Sequence, residues 1–137
     1  MESIREDVKG RREPKYDIDP LFVNRHSPRA LERDMDEEDL MACFEAARWA
    51  PSSFNNQSWR FVYATFEDDE WDKLNGFVNE FNRSWAENGY ALVVVLSKTI
   101  FDHNGEDSVT HSFDTGAAWE NFALEATRRD LVAHGMQ

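Results

Sequence analysis

A single cysteine, Cys43, stands in a chain of 137 residues, so no disulfide can close within it, and a reducing cytoplasm is the expected address. No apolar run is long enough for a bilayer: the longest strongly apolar stretch, 90–96, falls far short of the roughly 20 residues a spanning helix needs. The opening Met1-Glu2-Ser3-Ile4-Arg5 is charged and lacks the apolar segment of an export signal. Basic residues are scarce beside acidic ones, 15 against 27. The net charge of -12 repels phosphate backbones and anionic lipid surfaces, so neither nucleic acid nor membrane is an expected partner. Repeats and low-complexity tracts are missing too, which leaves one ordinary domain as the expected organisation.

Apolar material is plentiful. Aromatic residues make up 13% of the chain, too much bulky apolar surface to stay in water, so the chain folds. Residues 1–17 are the exception: charged side chains with few apolar anchors predict a mobile N-terminal arm ahead of a domain over 18–137. Pro20-Leu21-Phe22-Val23 predicts a short helix with proline in its first turn. Asp36 is the expected N-cap of a helix with Glu37, Glu38 and Asp39 in its first turn and Leu40, Phe44 and Ala47 at helical spacing, ended by Pro51. A strand is expected over 60–65 and a helix over about 68–85, weakened at Gly76. The Val-rich run 91–97 has the composition of a strand covered on both faces, hence a central one. A helix over 113–128, apolar nearly all round, predicts burial, and 131–137 looks like the beginning of a further strand.

Two polar segments could carry chemistry. Between a helix end and a strand lies Ala50-Pro51-Ser52-Ser53-Phe54-Asn55-Asn56-Gln57-Ser58-Trp59, whose hydroxyls and amides supply donors and acceptors for a ligand with several polar edges. The same composition also fits a helix stop built from Asx- and Ser-turns. In Arg25-x-Ser27-x-Arg29, alternate residues of an extended chain point to one side, so two guanidiniums and a hydroxyl could converge on an anion. Those arginines could equally pair with the abundant carboxylates. Asp102, His103, Glu106, Asp107 and His111 share a loop region without a metal-binding spacing, and no Gly-x-Ser-x-Gly elbow marks a nucleophile. Cys43 reads as a small buried hydrophobe and His134 as a satisfied core histidine.

Taken in order, Arg25-His26-Ser27-Pro28-Arg29, the block Glu45-Ala46-Ala47-Arg48-Trp49-Ala50-Pro51-Ser52-Ser53 with Asn55 and Gln57, Asn82-Arg83-Ser84-Trp85, and His111-Ser112-Phe113-Asp114-Thr115-Gly116-Ala117-Ala118-Trp119-Glu120-Asn121 resemble successive blocks of FMN-dependent nitroreductases. The resemblance runs from about Asp19 to Met136. It implies an α+β fold with a central mixed β-sheet flanked by helices, and a homodimer with FMN at the subunit interface. Arg25, His26, Ser27 and Arg29 would hold the phosphate and ribityl side, with Asn82 near the isoalloxazine edge. Pro51, Ser52, Ser53 and Asn55 of the partner chain would line the ring and ribityl, with Gln57 near them.

The implied activity passes hydride from NAD(P)H through FMN to a nitroaromatic or quinone-type acceptor by alternating occupancy of one site, with no catalytic side chain assigned. Three departures stand out. Ser58 replaces a customary proline, which predicts a looser loop. Arg128-Arg129-Asp130 replaces a turn of small residues, which predicts a strained helix end. The chain also stops before elements that in the family complete the flavin site. The fold is therefore expected to be C-terminally incomplete and weakly active, or else a catalytically silent dimerisation or binding module.

Overall fold

The computed structural model describes residues 3–136. Met1 and Glu2 of the expected arm and Gln137 of the expected last strand lie outside the described residues. In chain order the elements are α1 (Pro20–Asn24), α2 (Glu37–Arg48), a single 3-10 turn (Ser53–Asn55), β1 (Trp59–Thr65), α3 (Trp71–Asn75), α4 (Glu80–Ala86), β2 (Ala91–Ser97) and α5 (His111–Arg128).

The strands pair antiparallel from Trp59 opposite Ser97 to Thr65 opposite Ala91. Alternation then divides the residues between two faces. On one face, Trp59 packs with Ala47 of α2, with Ala50 just beyond that helix and with Ala118 of α5, while the Phe44 ring lies 5.1–5.4 Å from those of Phe61, Tyr63 and Phe122. On the other, Ala64 and its partner Leu92 pack with Leu74 of α3 and Ala86 of α4. Cys43 is buried on α2 as expected. Its burial, reinforced by the charge of Glu125, pushes the thiol up to about 11, so it stays protonated at neutral pH.

Helix starts follow local chemistry. The Asp19 carboxylate accepts from the Leu21 N–H and Asp36 from Asp39, each meeting an otherwise unpaired donor of the first turn. The single helix expected over 68–85 is two. Asn79 adopts an extended conformation and its side chain caps Asn82, and the Arg83 guanidinium bridges the break by donating to the carbonyls of Asn75 and Val78. Gly76 weakened the helix, and an N-cap three residues later finished the separation.

Three other expectations change. Residues near the N-terminus, expected to have nothing to pack on, lie against α1. Val8 is buried, fully buried Asn24 accepts from the Arg5 N–H at 2.8 Å and donates to the Ser3 carbonyl, and Arg12 donates to the carbonyls of Val23 and Arg25. β2, expected to be central, pairs on one edge only among the described residues. Its Leu96 is 50% exposed, and a cavity of about 860 Å³ runs beside 91–95. Residues 131–136 form no strand. α5 buries Asp114, Ala118, Ala123 and Ala126 but leaves Phe113 80% exposed, so its apolar circumference is only partly covered.

The end of α5 explains the second sequence departure. Leu131 N–H donates to the Ala126 carbonyl and Asp130 N–H to Thr127, the paired bonds of a Schellman motif, with Asp130 at φ 61° where glycine is the usual occupant. The Asp130 carboxylate also sits at the negative end of the helix dipole, with Arg5 at 3.8 Å to offset it. Asp130→Gly is therefore expected to stabilise the protein by about 0.5–1 kcal/mol, the left-handed penalty less the entropy of glycine. Thermal unfolding checks this: a higher Tm is expected, and a lower one would show that the Arg5 contact outweighs the backbone strain.

Candidate functional site

The polar loop after α2 is held from two sides. At its entrance the Ser53 N–H donates to Asp114 Oδ2 of α5 at 3.1 Å, and the Thr110 hydroxyl donates to the same oxygen at 3.1 Å. At its exit buried Asn56 donates to Ser58 Oγ (3.0 Å) and to the Ile100 carbonyl (3.1 Å) and accepts from the Asp102 N–H (2.9 Å). Between these anchors Phe54, Asn55 and Gln57 all have φ near 50°, a conformation that costs a residue other than glycine or Asn about 1–2 kcal/mol. The Gln57 N–H is met by Ser52 Oγ at 3.0 Å. Pro51, Asn55 and Gln57 face solvent, and Ser52 and Ser53 are half-buried. Ser58, expected to loosen the loop in place of proline, is instead fully buried and bonded to Asn56, so it ties the loop down.

In the other segment, Arg25 Nη1 donates to Ser27 Oγ at 3.4 Å, which brings guanidinium and hydroxyl together as the alternation predicts. Arg25 Nε lies 4.0 Å from the Glu120 carboxylate of α5. His26 bonds through Nδ1 to the Asn24 carbonyl at 3.1 Å and its Nε2 faces Asp7. Arg29 turns elsewhere: its guanidinium lies over the rings of Phe81 (5.0 Å) and Trp85 (5.9 Å) on α4. The Arg25 guanidinium thus lies toward α5 and that of Arg29 on α4, so of the three groups expected to converge only Arg25 and Ser27 are brought together. Asn82, beside Phe81 on α4, lines the 860 Å³ cavity with Trp85 and His134. His134 stacks on Trp85 at 4.4 Å and bonds to the Pro28 carbonyl at 3.0 Å, so the segment holding Arg29 is fixed from the far end of the chain, a contact no local pattern announces.

Helix α5 meets both segments, holding the loop through Asp114 and approaching Arg25 through Glu120 at 4.0 Å. Six residues of α-helix separate them by roughly 9 Å along the axis and about 120° around it. The loop and the arginine segment therefore stand on different sides of α5. Among the described residues no group of His, Cys, Asp and Glu could hold a metal ion, and no helix is long and apolar enough to cross a membrane.

The fold is of the nitroreductase type, α+β with a small antiparallel sheet between helices. It superposes with a TM-score of 0.86 on the crystal structure of an oxidoreductase containing FMN, 42% identical in sequence, over 91% of this chain and 65% of that one. A nitroreductase family protein from Clostridium novyi NT shares the fold at a TM-score of 0.63 and 23% identity, over 80% of this chain and 63% of its own. The Nitroreductase family matches residues 23–136, and the chain belongs to that family. An oxygen-insensitive NADPH nitroreductase of Helicobacter acinonychis (strain Sheeba) is 35% identical over 79 residues, which cover 56% of this chain and 37% of that protein. The chain thus spans less than two thirds of the length of each of these relatives.

Proposed function

We propose that the protein is an FMN-dependent oxidoreductase that takes hydride from NAD(P)H and reduces small nitroaromatic or quinone-type acceptors, working as a homodimer. The observation that carries the reading is the Arg25–Ser27 pair, a guanidinium and a hydroxyl 3.4 Å apart, a donor set suited to a phosphate in a chain whose net charge of -12 otherwise repels one. Family membership supplies the context, and two relatives are named for FMN and NADPH.

The residues present fit FMN. Arg25, Ser27 and Arg29, with His26 beside them, would hold its phosphate and ribityl side, and Asn82 would meet the ring edge. Pro51, Ser52, Ser53, Asn55 and Gln57 would line the ring from a second subunit. The separation of the two segments around α5 supports that division, because one chain offers them in different directions. Bound FMN would supply the redox chemistry, accepting hydride from the nicotinamide and passing electrons to the acceptor that replaces it. What this chain contributes is binding and orientation: charge at the phosphate, a pre-shaped polar loop at the ring, and an exposed face on which donor and acceptor alternate.

The purified protein is expected to be yellow, or to become so on adding FMN, and to oxidise NAD(P)H when given a nitroaromatic. A colourless protein that takes up no added FMN would overturn the reading in favour of a silent dimerisation or binding module.

A further inference from the structure

We propose that Asp114 is a positioning residue that holds the 52–57 loop in its ligand-binding conformation, so that FMN affinity depends on a carboxylate outside the set of residues expected to touch the cofactor. The inference rests on the proposed role of that loop. It starts from strain: Phe54, Asn55 and Gln57, three of four consecutive positions, are left-handed, and neither Phe nor Gln adopts that conformation unaided. Such a loop persists only where its surroundings over-determine it. The exit is fixed by Asn56. The entrance is fixed by Asp114, buried in the first turns of α5, where the helix dipole favours a negative charge. One of its oxygens accepts both the Ser53 N–H and the Thr110 hydroxyl, so the loop is pinned to the helix rather than merely resting on it.

The Gln57 N–H separates positioning from a local bond. Its acceptor is Ser52 Oγ, inside the loop, and Asp114 does not touch it. If Asp114 sets the conformation of the whole loop, its loss breaks this bond as well. If it only satisfies Ser53, the bond survives.

The experiment is amide hydrogen exchange on the full chain, paired with FMN titration by fluorescence quenching, for wild type, Asp114→Ala, Asp114→Asn and Thr110→Val. In Asp114→Ala the Ser53 and Gln57 amides should both lose protection, and FMN affinity should fall about tenfold or more, in line with the loss of a charge-assisted bond. Asp114→Asn keeps an oxygen that can accept from Ser53 and should restore both readings to within about threefold. Thr110→Val deletes the second bond and leaves the first, so it should lower stability with FMN affinity within about threefold of wild type. Should Asp114→Ala fold poorly, Ser53→Pro deletes the donor and keeps the carboxylate at a helix start that tolerates proline, and it should release Gln57 in the same way. Gln57 protection retained while Ser53 alone exchanges, or FMN weakened as much by Thr110→Val as by Asp114→Ala, would overturn the proposal. Release of Gln57 in a protein whose wild type binds no FMN would support the hold of Asp114 on the loop and overturn the assignment of that loop to FMN.

Discussion

Alanine at Arg25 or at Arg29 is expected to weaken FMN by about 1.5–3 kcal/mol, roughly 10- to 150-fold, the range for hydrogen bonds to charged groups. The reasons differ at the two positions. Arg25 is held beside Ser27 with only a marginal contact to Glu120 at 4.0 Å, so a phosphate carrying more charge can take its donors. Arg29 is oriented by the ring faces of Phe81 and Trp85, a contact that fixes the plane of a guanidinium without engaging its N–H groups as an ion pair would. Lysine at Arg25 keeps the charge but not the paired donors and should fall between wild type and alanine. Calorimetric titration of FMN checks all three variants. Unchanged affinity in both alanine variants would make Arg25 and Arg29 ordinary surface arginines.

The largest effect on stability outside the apolar core is expected at Asn56. Asn56→Ala strands the fully buried Ser58 hydroxyl, the Ile100 carbonyl and the Asp102 N–H at one stroke and leaves a small void. Each unmet buried group costs about 1–3 kcal/mol, and water can reach the Ile100 and Asp102 side of the network, so the net loss should be about 2–3 kcal/mol. Urea unfolding should show a lower midpoint at an unchanged slope. A loss below about 0.5 kcal/mol, the range of ordinary surface substitutions, would show that water replaces the side chain and that the loop does not depend on it.

Asn56 also shows where reading the sequence stops. The amide-rich loop was legible as a polar segment between a helix end and a strand, and the family motif singled out Asn55 and Gln57 on either side of it. Which amide points inward was not legible, because left-handed residues follow neither the twofold alternation of a strand nor the 3.6-residue period of a helix. Where periodicity or a capping residue operated, the expectations held closely: Asp36 begins α2, Pro20 opens α1, and β1 and β2 lie where the apolar runs put them. Asn79 gives no sequence signal of its own, because a cap inside a helical pattern looks like one more polar position. The anchor Asn24 acts through contacts 19 to 21 residues apart in sequence, and His134 meets Pro28 across 106, separations at which no local rule applies.

The outer edge of β2, unpaired among the described residues, has a colloidal consequence. A strand edge without a partner presents a row of unmet N–H and C=O groups to any other extended chain, and here the row belongs to an Ala-Leu-Val-Val-Val-Leu-Ser sequence of high strand propensity with no proline or charge to blunt it. What opposes edge-to-edge growth is the net charge of -12, a repulsion that acts between molecules at long range and is cut to about 8 Å at physiological ionic strength. Attraction at the edge is short-ranged and indifferent to salt, whereas the barrier to reaching it is not. A concentrated solution is therefore expected to keep longer in dilute buffer, which holds the molecules apart, than in salt, which lets them meet.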